Sequence, residues 1–167
     1  MQGQNTGRAT LSLKDRMTRA LLDHVQPTHF ITLSLCQARK FVAAGGMESW
    51  AQGDDVIYQQ AHQSLMRSLS KRLTRRAAWD RYQPIIPNAS AIEGGKGGER
   101  FHLHLLVAKP EHVTETRFRM AICVVADGNP WIMNGSHSVD IQRIQDDEEA
   151  KRKAFYTLKR GIDRICL

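Results

Sequence analysis

Apolar and polar positions recur along this chain with two periods, and the switches between them mark its elements. Leu13, Met17, Leu21, Leu22 and Val25 fall on one helical face and predict a helix over 13–25, stopped by Pro27. Residues 28–35 are apolar and β-branched (Phe30, Ile31, Leu33, Leu35 among threonines) and predict a buried strand. A short helical stretch and then a loop at Gly45-Gly46 are expected next. Val56, Ile57, Ala61, Leu65, Leu69 and Leu73 keep helical spacing and predict one long helix over 54–80.

Two strands, 85–93 and 100–108, flank Gly94-Gly95-Lys96-Gly97-Gly98, which reads as a hairpin turn. A helix over 114–125, a turn at 127–130 and a short strand over 138–144 follow. The last predicted element is a helix over 146–166, acidic in its first turn and basic later, which complements the helix dipole. Strands mixed with helices and joined partly by a hairpin indicate an α+β fold: an antiparallel sheet of four to five strands with flanking helices.

The chain has 167 residues, enough for one domain with a real core and too few for two ordinary ones. Residues 1–11 read as a polar arm and 12–167 as a single domain. No apolar run is long enough to cross a bilayer, and the first ten residues lack a signal-peptide core, so a cytoplasmic protein without a membrane partner is expected. A formal net charge of +7 suits a polyanionic partner, of which nucleic acid is the commonest. Of the three cysteines none forms a Cys-x-x-Cys pair, and the apolar surroundings of Cys36 and Cys123 suggest buried free thiols in a reducing compartment.

Chemistry concentrates in two places. Arg100-Phe101-His102-Leu103-His104-Leu105-Leu106-Val107 puts two histidines at i and i+2 of a strand, so both imidazoles face one way while the leucines face the other. Glu93 ends the preceding strand and comes opposite or diagonal to them across the hairpin. Two imidazoles and a carboxylate make a facial set for Mg²⁺ or Mn²⁺, with water and substrate oxygens completing the shell; the same donors accept Zn²⁺. Separately, Tyr156-Thr157-Leu158-Lys159 places a phenol and an ammonium on one helix face. A phenol titrates near pH 10, so attack on phosphorus needs a metal or a nearby cation to help it.

Taken together these stretches resemble the HUH endonucleases (histidine, hydrophobic, histidine), and among them the single-tyrosine replication initiators of rolling-circle plasmids and single-stranded DNA phages. His29-Phe30-Ile31-Thr32-Leu33 is similar to the family's first motif. Phe101-His102-Leu103-His104-Leu105-Leu106 is similar to the metal-binding second, with Glu93 where a third ligand often stands. Tyr156-Thr157-Leu158-Lys159 is similar to the nucleophile motif. The resemblance spans roughly residues 28–160.

What the resemblance implies is a ferredoxin-like nuclease fold in which Tyr156 attacks a scissile phosphodiester of single-stranded or hairpin origin DNA. A metal on His102, His104 and Glu93 would stabilise charge at phosphorus, and Lys159 would position the phosphate or stabilise phenolate. The products would be a 5′-phosphotyrosine link and a free 3′-OH for a host polymerase. No Walker-type loop follows, so a host helicase would unwind the DNA, and no second tyrosine follows Tyr156 at helical spacing. DNA contacts are expected from Arg67, Lys71, Arg72, Arg75 and Arg76 on the long helix and from Lys96 on the turn. His29 is the remaining histidine expected nearest the site. The rival readings are a single-tyrosine transposase of the same superfamily, a module that binds an origin without cutting, and a two-histidine phosphoesterase. The last needs a pair of His-x-Ser or His-x-Thr motifs, which His137-Ser138 and His102-Leu103-His104 do not supply.

Overall fold

The computed structural model describes residues 11–42, 46–95, 99–135 and 137–159, and the backbone of 165 and 166. Helix α1 (Leu13–Val25) starts at a capping box: Ser12 accepts from the Asp15 backbone N–H, and the Asp15 carboxylate reaches back to Ser12. It ends at Gln26, in the left-handed conformation ahead of Pro27. Strand β1 (His29–Ser34) follows, then a two-stranded antiparallel hairpin, β2 (Ala38–Val42) with β3 (Glu48–Gln52). Next come α2 (Asp55–Leu73), α3 (Arg76–Tyr82), β4 (Asn88–Glu93), β5 (His102–Val107), α4 (Glu115–Asp127), β6 (Val139–Arg143), α5 (Asp147–Thr157) and the two-residue β7 (Ile165–Cys166).

The main sheet is antiparallel throughout, in the order β6-β1-β5-β4-β7. Without β7, its four strands and the helices α2 and α4 that cross between them repeat a β-α-β unit, the ferredoxin-like arrangement. The fold is therefore the expected α+β class.

Strand alternation divides the sheet into two unequal faces. Ile31, Leu33, Leu103, Leu105, Val107, Ile92 and Ile141 point to one side and pack under α2 and α4, which contribute Tyr58, Leu65, Leu69, Leu73, Phe118 and Ile122 to the larger core. Phe30, Leu106 and Ala89 point to the other side, where α1 and α5 cover them with Leu21, Val25, Ala154 and Leu158. This second core is smaller, and the even-numbered positions of β1 and β5 beyond it are polar.

Three expectations need correction. The segment 146–166 is not one helix: α5 ends at Thr157, and residues 165 and 166 pair with β4 as a short edge strand. Covering the backbone groups of an open β4 edge decides this, and helical periodicity carries no trace of it. The segment 54–80 is two helices. Its apolar stripe ends at Leu73, and Trp79 comes six residues on, about 240° around a continuous helix. Extended backbone at Thr74 and Arg75 turns α3 so that Trp79 is buried instead. The stretch before Gly46 is strand β2 of a hairpin rather than helix, because its partner β3 lies across the loop and local spacing does not record it.

The cysteine expectation fails in part: Cys123 is exposed and Cys36 only half-buried, both as free thiols. Among the described residues, no helix is long and apolar enough to cross a membrane.

Candidate active site on the alpha1 and alpha5 face

Register assembles the site. Glu93 pairs directly with His102, Ala91 with His104, and Thr32 with His104 from the other side. Directly paired residues share a face, so Thr32, His102, His104 and Glu93 all project toward α1 and α5. The turn that ends β4 holds Glu93 in place. Gly94 has φ +108, and a β-carbon there would lie 2.2 Å from the Arg100 carbonyl oxygen, so only glycine fits.

α5 brings in the phenol. The Tyr156 hydroxyl donates to Glu93 Oε2 at 2.7 Å, His104 Nε2 lies 2.9 Å from the same oxygen, and Lys159 Nζ is 3.4 Å from Oε1. The Tyr156 ring stands edge-on to His104, centroids 5.2 Å apart, and Lys159 Nζ lies 5.2 Å from the Tyr156 ring centroid. Glu93 is therefore the hub on which a phenol, an imidazole and an ammonium converge. Tyr156 stays 39% exposed, open to a substrate, while His104 is buried.

Burial holds the His104 imidazole below the ordinary histidine range; Glu93 pulls it back up, and His102 and Lys159 add to the lowering. The neutral ring carries its proton on Nε2, because the Glu93 carboxylate only accepts. His104 Nδ1 then accepts from the Thr32 hydroxyl at 3.1 Å. A hydroxyl can reverse that role. If Nε2 released its proton to become a metal ligand, Nδ1–H would donate to Thr32 instead, so one neighbour serves both tautomers.

Two ligands at right angles on an ion with bonds of about 2.1 Å lie about 3 Å apart. His104 Nε2 and Glu93 Oε2 have that separation. His102 lies beside them, the His102 and His104 ring centroids 6.2 Å apart, and its buried Nδ1 has no hydrogen-bond partner among the described residues. Two imidazoles and a carboxylate are donors that a first-row divalent cation such as Mn²⁺ or Zn²⁺ accepts. Among the described residues, no three histidine, cysteine or acidic side chains already stand as a formed metal cage, and Glu93 is taken up with Tyr156 and Lys159.

The other expected residues lie elsewhere. Arg67, Lys71, Arg72, Arg75 and Arg76 are exposed on α2 and its junction with α3, in the layer on the opposite face of the sheet from Tyr156. Arg67 is bonded to Gln83, and Arg76 pairs with Asp80. Lys96 lies outside the described residues. His29 does not approach the site: its odd-numbered position turns it under α4, where it is buried against Phe118 and bonded to Glu115 at 3.0 Å. Phe30 and Thr32 are the residues of that strand which do reach it, Phe30 stacking on His104 at 5.6 Å. Their shared parity with the histidines across β1 and β5 was the available signal. Lys153 sits 4.6 Å from the Phe30 ring centroid and also bonds Gln142, a second α5 cation that spacing alone does not pick out. Of the tryptophans, Trp79 is buried, Trp131 packs on Phe41, and Trp50 is 68% exposed on β3.

Searches of protein families, of characterised proteins and of solved structures found no match to this chain.

Proposed function

We propose that this domain nicks and rejoins single-stranded DNA through a covalent tyrosine intermediate, in the manner of the HUH replication initiators that its motifs resemble. The observation that carries the proposal is the convergence of Tyr156, His104 and Lys159 on one carboxylate, Glu93. A module that only bound DNA would need neither a half-exposed phenol aimed at a carboxylate nor an imidazole beside it.

In this reading, the Tyr156 oxygen forms a bond to the scissile phosphorus and the bond from phosphorus to the 3′ oxygen breaks. With Lys159 favouring the phenolate, the phenolic proton leaves to water, and the departing 3′ oxygen takes a proton from water to become the free 3′-OH. The 5′ side of the break is left on the tyrosine. Lys159 holds positive charge beside the phenol and the arriving phosphate, which favours phenolate and places the non-bridging oxygens. Bound to His102, His104 and Glu93, Mg²⁺ or Mn²⁺ would offset charge growing on the phosphoryl oxygens. Thr32 holds the His104 ring by its Nδ1 in either tautomer. Rejoining is the reverse reaction, with a 3′-OH attacking the phosphotyrosine. The biological setting that fits is rolling-circle initiation, with a host helicase and polymerase completing the work, in the cytoplasm. Single-tyrosine transposition shares each of these steps.

The test is a denaturing gel of the protein with a labelled single-stranded oligonucleotide pool and Mn²⁺. A slow protein band that carries label, disappears with EDTA and is absent from Tyr156→Phe is the expected result. Label bound under native conditions, with no covalent band for any oligonucleotide in the pool, would favour a non-cleaving origin-binding module.

A further inference from the structure

Beside Tyr156 a groove of about 580 Å³ runs between α1 and α5. Leu22 and Thr18 of α1 line it, with the exposed ring of Phe155 opposite. Cations from both helices also line it: Lys14 and Arg19 from α1, Lys151 and Arg152 from α5, and Lys159 just beyond. The acidic residue among its lining, Asp15, is committed to the Ser12 backbone and hydroxyl. Lys14 Nζ lies 3.5 Å from the centroid of the Phe155 ring, which is 46% exposed.

We infer that this groove, rather than the arginine stripe of α2, is the seat of the single DNA strand. The inference deepens the nicking reading and rests on it for the choice of partner. Three observations carry it. The groove includes Tyr156 and Lys159 in its own wall, so a strand lying in it arrives at the phenol. The α2 stripe is on the opposite face of the sheet, and a strand held there would have to pass around an edge to reach Tyr156. The groove also combines an aromatic face with flanking cations, the combination that holds unpaired bases and their phosphates. Paired bases hide their faces in the stack, so an aromatic platform selects single strands. Phe155 and Tyr156 line the same groove, so the platform takes a base near the scissile phosphate. Lys14 over the Phe155 ring marks where a base would slide in, the ammonium moving out to a phosphate.

The test is fluorescence anisotropy with a labelled mixed-sequence oligodeoxynucleotide, with Tyr156→Phe in every protein and EDTA present, so that neither cleavage nor metal enters. Phe155→Ala is expected to weaken binding about tenfold, the scale of one lost base stack, and Phe155→Trp to retain it. Lys14→Ala with Arg19→Ala should lower the slope of log K against log salt by about 0.7 for each phosphate contact removed. Replacing Lys71, Arg72, Arg75 and Arg76 together by Ala should change affinity far less. If the groove variants bind as the parent does while the α2 variant loses affinity, the strand lies on the other layer and the groove is left for an apolar protein segment. Absence of binding by the parent would also overturn the inference. Binding that follows the groove variants, from a protein that forms no covalent adduct in the cleavage assay, would support the groove and remove only the nicking reading.

Discussion

The two faces of the sheet use the same strands for opposite purposes. Toward α2 and α4, the alternate residues of β1 and β5 are buried, aliphatic apart from His29, and the larger core forms there. Toward α1 and α5, the alternate positions are Phe30, Thr32, His102 and His104, with Glu93 beside them, and the apolar core is small. The larger apolar core lies in one layer, and the chemically reactive side chains gather in the other. The two functions are separated by strand alternation alone, about one residue apart in sequence.

The separation can be broken most sharply at the phenol. Tyr156→Phe is expected to abolish the covalent adduct outright while leaving the denaturation midpoint near the parent's, since the ring is half-exposed and its shape is kept. A large loss of stability would mean that the site face is also structural. On the opposite face, Leu103→Ala is expected to destabilise by about 3–5 kcal/mol, because the side chain is fully enclosed by the larger core. Leu21→Ala, in the smaller core, should cost about 2 kcal/mol. Chemical denaturation of the pair checks the difference, and equal losses would contradict the division of labour.

Thr32→Val keeps the shape of the strand and removes the hydroxyl from His104 Nδ1. Mn²⁺ affinity, read by calorimetric titration, is expected to fall about tenfold, with little change in oligonucleotide binding in EDTA. Unchanged Mn²⁺ affinity would show that Thr32 does not support His104 as a metal ligand.

The smallest expected effect is on pH. His62 is buried in the α2 layer against Asn88, and burial lowers its pKa below the ordinary value. The unfolded chain then binds a proton near pH 6.5 while the folded chain does not. Stability from this group is complete above pH 6.5 and declines as pH falls below it, at no more than about 1.4 kcal/mol per pH unit. His29 and His104 act in the same direction. Denaturation midpoints at pH 7.5 and 5.5 should differ with that sign, and His62→Gln should flatten the dependence.

Much of this was legible locally. The stop at Pro27, the apolar stripe to Leu73 and the alternation of the histidine strand are written in neighbouring residues, because helix and strand periods are local properties. Facing of His102 and His104, and the reach of Glu93 across the hairpin, followed from period two and a short glycine turn. What stayed hidden depended on partners distant in sequence. The β2–β3 hairpin, the β7 edge strand and the break at Thr74 each answer to a residue or edge elsewhere in the fold. So does the fate of the basic residues. A run of arginines announces charge, and only the crossing of the sheet between α2 and α5 decides which cations stand beside Tyr156. His29 shows the same limit: its place in the motif suggested the site, and strand parity turned it to the opposite core. Sequence alone determined the elements that local period marks and which of their residues could share a face, since those depend on bond geometry within a few residues. Tertiary structure decided which face met which helix, because burial of the larger apolar face chose the layer for α2 and α4 and left the phenol, the histidines and the groove to α1 and α5.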